Sequence, residues 1–424
     1  MKINKNFSEL QLPENLKIAM QIRNNFNNND VYHNFILGQS PFPVFDGLKN
    51  SLSKHADKSF YSAFDGIEDL KVAIQKFNSH YLKLHTEKNR IVFGYGTKHI
   101  MSLLFQMLDG HFVLPVPAWV GYEPLLKMQN KKYTKLRLTD KDDYKIIPEK
   151  LEDFITQLKE PCILILNNPH NPTGAVYSEQ DLIKLRKVLL EYDVTVISDE
   201  IYGLMTFHTN DFVSMAKIYP EKTFMTSGLS KDRSAAGYRF GVCVLPSNQT
   251  NELSEIYHKI IANTFTNITT PIQYAAVEGY ALTDDLNRYI NITRRVHSIS
   301  ADVIYNEANK IPKAKVSKPK GGFYLTIDLN AYKQLFFNHG ITTASKLTEN
   351  LLKEPYFVAC VAGETIGLSQ DDFTLRIAFI DYDGAKVLNR CTDTKNITQE
   401  MLMPYMMHMV EGIKKIGVFL DNLT

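Results

Sequence analysis

The middle of this chain alternates short apolar runs with longer amphipathic stretches, and this alternation limits the folds that it can adopt. Three of the runs are CILIL (162–166), VTVIS (194–198) and FGVCVL (240–245), and one amphipathic stretch is SEQDLIKLRKVLLEY (178–192). Short apolar runs rich in β-branched residues are typical of buried strands, and apolar residues at helical spacing are typical of helices. The pattern from Tyr61 to about Asp285 therefore predicts an α/β fold, with a mostly parallel sheet flanked by helices on both faces.

The pattern changes after residue 285. A long helical pattern runs from Leu286 through Asn309, and two strand-like runs follow, GGFYLTIDL (321–329) and FTLRIAFID (373–381). These elements predict a smaller α+β domain that closes over the large one. We expect residues 41–285 to form the large domain, and residues 1–40 with 286–424 to form the small one.

Three other segments, one near the start of the chain and two near its end, have weaker sequence patterns. Helical spacing over 12–26 predicts an N-terminal helix, with Pro13 at its start. The Met-rich helical pattern from Met401 to Leu423 is explained by core packing. The stretch 384–404 matches no motif that can be interpreted.

Charge and cysteine usage restrict the partners. The 424 residues include 48 Lys and Arg against 46 Asp and Glu, a formal net charge of +2. A charge this close to balance provides no strong field for nucleic acid or an anionic membrane, so we expect a small-molecule partner.

No apolar run is long enough for a signal peptide or a membrane span, which predicts a cytoplasmic protein. The four cysteines lie far apart without a CxxC pair, which argues against disulfides and a zinc site.

Polar residues that could act in binding or catalysis follow the predicted strands. They occur in NNPHNPTGAVYSEQDL (167–182), VISDEIYG (196–203) and SGLSKDRSAAGYRFG (227–241). Asp199 ends one strand, and ligands of open α/β sheets bind at the carboxyl ends of strands. Arg239 follows Lys231 by eight residues, and a guanidinium suits a phosphate because its planar fork binds two oxygens. Upstream, GYGTKHIMSLLF (94–105) predicts a glycine turn that opens a helix, whose first amides, those of Gly96, Thr97 and Lys98, would face an anion.

Taken together and in this order, the three stretches resemble the class I and II aminotransferases, which are enzymes of fold type I that depend on pyridoxal 5'-phosphate (PLP). The resemblance covers nearly the whole chain. It implies that an amino group moves between an L-amino acid and a 2-oxo acid in two half-reactions, through a Schiff base on a lysine.

The resemblance implies a role for each catalytic residue. Lys231 would hold the cofactor aldehyde and then move the substrate proton. Asp199 would pair with the pyridine nitrogen, with Glu200 as the rival carboxylate, and Tyr202 would bind the phenolic oxygen. The further cofactor contacts that it implies are Gly96, Thr97, Lys98, Trp119, Asn171, Ser230 and Arg239.

Substrate contacts and a partner subunit follow from the same resemblance. Arg376 would bind the substrate α-carboxylate, and Gly38 would close over the substrate, which Trp119 and Asn171 also contact. Tyr61 matches a tyrosine that reaches the cofactor phosphate of a neighbouring subunit, which implies a homodimer with shared active sites.

Two departures from the family pattern bear on the substrate. Gly228 stands where many relatives have a serine, and the form GLSK resembles the alanine and aromatic aminotransferase branches. The stretch ANTFTNITTP (262–271) lacks the arginine that dicarboxylate-specific members supply from the partner. This disfavours aspartate as a substrate, whereas glutamate stays open through some other contact.

Other functions remain open at this point. The same scaffold serves carbon–sulfur lyases, although the combination of DEIY with NPTG favours transfer. A PLP-sensing transcriptional regulator would need a DNA-binding domain, and the roughly 30 residues before Gly38 are too few for one. A scaffold without activity is disfavoured, because Lys231, Asp199, Arg239 and Arg376 are all present.

Overall fold

The computed structural model describes residues 38–208 and 212–424, residues 32–36, and residues 1, 12, 16–18, 20 and 22. The N-terminal helix predicted over 12–26 lies for the most part outside the described residues. The strands are β1 (His33–Asn34), β2 (Ile91–Gly94), β3 (His111–Val116), β4 (Tyr133–Arg137), β5 (Cys162–Asn167), β6 (Thr195–Asp199), β7 (Thr223–Gly228), β8 (Gly241–Val244), β9 (Lys315–Val316), β10 (Tyr324–Asp328), β11 (Val358–Ala359), β12 (Val361–Ala362) and β13 (Thr374–Ala378).

The α-helices of the described part lie between these strands and after the last of them. They are Asp46–Lys54, Glu68–Phe77, Thr97–Met107, Tyr122–Met128, Pro148–Ile155, Glu179–Glu191, Met215–Ile218, Thr250–Thr264, Thr270–Gly279, Asp284–Ala308, Lys333–Asn338, Ala344–Leu352, Gly384–Thr392 and Gln399–Asp421. None of the helices in the described part is long and apolar enough to cross a membrane.

The main sheet has seven strands in the order β2–β8–β7–β6–β5–β3–β4. Strand β8 runs antiparallel to both of its neighbours, and the other pairs are parallel. This sheet confirms the predicted α/β class. Its inner strand β5 is buried along its whole length, because helices cover both faces.

Alternate residues of β5 pack against different helices. Ile163 and Ile165 belong to the same core cluster as Leu104 of the helix Thr97–Met107. Leu164 packs in the cluster that contains Leu185 of the helix Glu179–Glu191. That second helix begins with a capping box, in which the Ser178 hydroxyl accepts from the Asp181 amide and the Asp181 carboxylate accepts from the Ser178 amide.

A second, four-stranded antiparallel sheet has the order β12–β13–β10–β9. Its strands β10 and β13 are the two runs predicted after residue 309. The long helix Asp284–Ala308 contacts both β10 and the C-terminal helix Gln399–Asp421, whose Met406 and Met409 are buried in the core. Strand β1 pairs in parallel with β11, which joins the N-terminal segment to the C-terminal elements. The domain limits at residues 40/41 and 285/286 stay a prediction.

The stretch without a motif, 384–404, forms the helix Gly384–Thr392 and the start of the C-terminal helix. Gly384 packs directly against the chain segment that follows Gly38. A Cβ atom at position 384 would lie 2.1 Å from the Pro41 carbonyl oxygen and 2.7 Å from the Phe42 amide nitrogen. This glycine therefore allows the helix to approach the backbone that leads into the site described below.

We expect Gly384→Ala to destabilise the protein by about 1–3 kcal/mol, because the added methyl has no space beside Pro41. The matched control is Gly417→Ala in the C-terminal helix, where the nearest atom to an added Cβ is Ile311 Cγ1 at 3.9 Å. That control should instead stabilise the protein by about 0.5–1 kcal/mol, through helix propensity. Urea unfolding followed by fluorescence measures both, and equal effects of the two changes would contradict the packing argument.

Candidate active site

The candidate site lies where the parallel strands β5, β6 and β7 end. Their register places Asn167 beside Asp199 and Asp199 beside Thr226, so that the loops after these strands meet at one edge of the sheet. A cleft of about 260 Å³ opens there. Its lining residues are Thr97, Lys98, Trp119, Asn167, Asn171, Asp199, Ile201, Tyr202, Ser230, Lys231, Ala236 and Arg239. Tertiary structure thus gathers most of the predicted site residues into one cleft.

Lys231 is the central cation of this cleft. Its Nζ donates a hydrogen bond of 2.5 Å to the Gly38 carbonyl oxygen and lies 5.6 Å from the ring centres of Tyr202 and Phe323. Burial lowers the pKa of Lys231 to about 8, against the opposing effect of Asp199. An amine with this pKa has an appreciable neutral fraction near neutral pH, as a nucleophile requires.

Asp199 is buried, and one of its oxygens is already bound. The Tyr122 hydroxyl donates to Asp199 Oδ2 at 2.6 Å. Burial raises the pKa of the Asp199 carboxyl, whereas the bond from Tyr122 lowers it and favours the charged form. The rival Glu200 does not line the cleft, because its Oε1 accepts from the Ser198 hydroxyl at 2.8 Å and from the Met215 amide at 2.9 Å. The geometry therefore favours Asp199 over Glu200 as the carboxylate that faces a ligand.

Tyr122 is a site residue that the sequence did not predict. It stands three positions after Trp119 in PAWVGYEP, and its amide donates to the Trp119 carbonyl oxygen at 3.2 Å in the turn that precedes the helix Tyr122–Met128. The two rings meet edge to face at a centroid distance of 5.0 Å. Gly121 provides the necessary space, since a Cβ there would lie 2.3 Å from the Trp119 ring. Nothing in the local sequence indicates that the phenol of Tyr122 reaches an aspartate 77 positions away.

One end of the cleft suits a phosphate group. The helix Thr97–Met107 begins after Gly96, which has a φ of +78° and no side-chain cap, so its first amides are available to an anion. Arg239 lies close to this turn, where its Nη2 donates to the Tyr95 carbonyl at 3.2 Å. A Cβ at Gly96 would lie 2.7 Å from that same Nη2, so the glycine permits the approach. Ser230 also lines the cleft.

Arg376 and Gly38 lie beside the cleft and do not line it. Arg376 is 2% exposed, and its Nη2 donates to the Ile36 carbonyl oxygen at 2.5 Å. Its Nε and the Asn171 Oδ1 are buried without a hydrogen-bond partner in the described part of the chain. Buried polar atoms of this kind are costly unless a ligand completes them. The unpaired donor suits a substrate carboxylate, and the polar groups of the cleft fit PLP.

Tyr61 lies elsewhere. Its side chain is 84% exposed, and it is not among the residues that line the cleft of its own chain. The structure of a single chain therefore does not bring Tyr61 to the predicted phosphate site.

The parallel sheet, the cleft at its carboxyl edge and the buried lysine define a PLP-dependent enzyme of fold type I. The family model "Aminotransferase class I and II" matches residues 37–388. This chain belongs to that family. The chain is 29% identical over 346 residues to an aspartate aminotransferase of Bacillus sp. (strain YM-2), which covers 80% of this chain and 84% of the relative.

Two further comparisons also find aminotransferases. The chain is 28% identical over 344 residues to an asparagine–oxo-acid transaminase of Streptococcus mutans, which covers 79% of this chain and 84% of the relative. A crystal structure of the aspartate aminotransferase from Rhizobium meliloti superposes with a TM-score of 0.82 over the full length of both chains, at 22% identity. The protein is thus a PLP-dependent aminotransferase, and the lyase alternative is not favoured.

The pKa of Lys231 leads to a kinetic prediction. Only the neutral amine can attack the PLP aldehyde, so the capture rate should rise about tenfold per pH unit below pH 8 and level off above it. Absorbance after mixing PLP with PLP-free protein measures this rate. The control is Lys231→Arg, which keeps the charge but should show no capture at any pH. A rate that continues to rise to pH 10 would contradict the effect of burial.

Proposed function

We propose that the amino donor is a dicarboxylic amino acid, with its α-carboxylate at Arg376 and its side-chain carboxylate at Lys98. The observation that carries this proposal is a cation in the cleft in addition to Lys231 and Arg239. Lys98 Nζ lies 5.2 Å from the centre of the Trp119 ring and forms no ion pair with a described carboxylate. Partial desolvation of the amine in the cleft and the nearby Arg239 lower the pKa of Lys98, although the residue as a whole is exposed.

Lys98 would supply a contact that the stretch 262–271 lacks. The missing arginine in that stretch argues against aspartate, and the form GLSK suggests alanine or aromatic substrates. Several relatives of this chain, in contrast, are named aspartate aminotransferase. A lysine within the same chain can bind a carboxylate as a point charge, so the absence of a partner arginine does not decide the question.

We assign three residues of this chain to the steps of the reaction. PLP supplies an electron sink for the substrate α-carbon when it is bound. Arg376 orients the substrate through its α-carboxylate, and Asp199 holds a negative charge at the carboxyl edge of the sheet. Lys231 Nζ, once free, takes the proton from the α-carbon, because its pKa of about 8 suits a base near neutral pH.

A scan of single amino acids tests the substrate class. The absorbance of the PLP-loaded protein is followed after addition of each amino acid without an oxo acid. We expect aspartate or glutamate to convert the cofactor, and Lys98→Met to lower kcat/KM for that donor by about 10- to 100-fold. The alanine reaction of the same variant is the matched control and should change little. Conversion by alanine or aromatic amino acids alone would contradict the proposal, and accumulation of ammonia would indicate elimination.

We further propose that the active unit is a homodimer in which Tyr61 serves the partner's cleft. Tyr61 is 84% exposed, and the nearby Phe60 and Phe64 are 53% and 52% exposed. Such a group of exposed aromatic side chains is typical of an interface. The Ser62 hydroxyl accepts hydrogen bonds of 2.8 Å from Asn267 and 2.7 Å from Gln273, so this segment is held against its own chain.

Subunit mixing tests the shared site. Lys231→Ala and Tyr61→Ala chains are each expected to be poorly active alone. After they are mixed and allowed to exchange, activity should rise, because one cleft of each mixed dimer then has Lys231 from one chain and Tyr61 from the other. Mixing Lys231→Ala with itself is the control. If no activity is regained although sedimentation shows mixed dimers, Tyr61 does not act in the partner's cleft.

A further inference from the structure

Tyr324 is the first residue of β10, and its context GGFYLTIDL predicts only a strand. Its side chain is 3% exposed and does not line the cleft described above. Four residues with expected roles in cofactor or substrate binding surround it, namely Gly38, Asn171, Tyr202 and Arg376. One tyrosine therefore contacts both the site expected for the substrate carboxylate and the side chains expected at the cofactor ring.

The ring of Tyr324 packs against Arg376. Thr326 of β10 lies opposite Arg376 of β13, so Tyr324, two residues earlier, is a diagonal neighbour on the same face. The guanidinium carbon of Arg376 lies 4.9 Å from the centre of the Tyr324 ring. The Ile36 carbonyl oxygen holds Nη2 of the same guanidinium. The ring and the carbonyl together hold the guanidinium in one orientation, with its unpaired Nε available to a carboxylate.

The hydroxyl of Tyr324 is linked to Tyr202. The Tyr202 hydroxyl donates to the Tyr324 hydroxyl at 3.3 Å, and both are buried. Tyr202 has one hydroxyl proton, so it cannot donate to Tyr324 and to a cofactor oxygen at the same time. When Tyr202 donates to the cofactor, Tyr324 can donate to Tyr202 between the same two oxygens. A hydroxyl that accepts one hydrogen bond is a stronger donor in the next, because bonds in a chain polarise one another.

The position of this hydroxyl also depends on Gly38. A Cβ at position 38 would lie 1.5 Å from the Tyr324 hydroxyl oxygen, so only glycine fits there. The carbonyl oxygen of the same glycine accepts from Lys231 Nζ. Gly38 thus contacts Lys231 and Tyr324 at once.

We propose that Tyr324 is a positioning residue with two separable functions, and this proposal rests on the role given to Arg376 under the proposed function and on the role that the family resemblance implies for Tyr202. Its ring holds Arg376 in the orientation that binds the substrate α-carboxylate. Its hydroxyl donates to Tyr202 and so strengthens the hydrogen bond from Tyr202 to the phenolic oxygen of the bound cofactor.

Two variants separate the ring from the hydroxyl. Tyr324→Phe keeps the ring, so KM for the amino donor should stay within about twofold. The absorbance transition of the bound cofactor should move to higher pH, because a weaker donor at the phenolic oxygen stabilises its negative charge less. Tyr324→Leu removes the ring as well and should raise KM roughly threefold to tenfold. The control Tyr332→Phe removes a hydroxyl that donates to the Pro312 carbonyl in the same domain, and should change neither quantity.

A double variant shows whether the hydroxyl acts through Tyr202. Tyr202→Phe alone should move the absorbance transition further than Tyr324→Phe does. In the Tyr202→Phe background, Tyr324→Phe should cause no additional shift, because the group through which it acts is absent. Equal shifts in both backgrounds would overturn the linkage. An unchanged KM in Tyr324→Leu would overturn the role of the ring.

The results distinguish a wrong role for Tyr202 from a wrong role for Tyr324. If Tyr202→Phe leaves the absorbance transition unchanged, the role that the family resemblance implies for Tyr202 is wrong. If Tyr202→Phe moves it and Tyr324→Phe does not, only the proposal for Tyr324 is wrong. The same distinction holds for KM, where Arg376→Lys is the reference for loss of the carboxylate site.

Discussion

The register of three parallel strands is the constraint on which the site depends. Because β5, β6 and β7 end side by side, Asn167, Asp199 and Thr226 lie in adjacent positions at one edge of the sheet. The loops that follow then bring Asn171, Tyr202 and Lys231 into one cleft. Backbone hydrogen bonds within the sheet hold these positions, and the bond from Tyr122 fixes the Asp199 carboxylate in addition.

Lys231 is also held in place by the contacts of the two residues that follow it. Asp232 and Arg233, which directly follow Lys231, form a buried ion pair at 3.0 Å. The guanidinium carbon of Arg233 lies 4.9 Å from the Phe77 ring and 4.8 Å from the Tyr280 ring, between two aromatic faces. Removing one partner of such a pair would leave an uncompensated buried charge. These contacts fix the loop that carries the lysine.

The N-terminal segment completes the site from the opposite side. Ile36 accepts a hydrogen bond from Arg376, and Gly38 accepts one from Lys231. Strand β1 pairs with β11, and Gly384 permits close packing against Pro41, so both ends of this segment contact the C-terminal elements. Arg376 and Lys231 are in this way connected through two backbone carbonyls of one segment.

The fold class and most of the cleft could be predicted from the amino-acid sequence. Apolar runs and capping residues act locally, so β5, β6, β8 and the helix after Ser178 form where they were expected. Residues of the motifs, such as Asn171, Asp199, Lys231 and Arg239, line the cleft because each lies within a few positions of a strand or helix end. The bond from Tyr122 to Asp199 and the contacts of Tyr324 with Arg376 and Tyr202 could not be predicted in this way. Those contacts join residues far apart in sequence, and their partners are set by packing between elements, which no local pattern records.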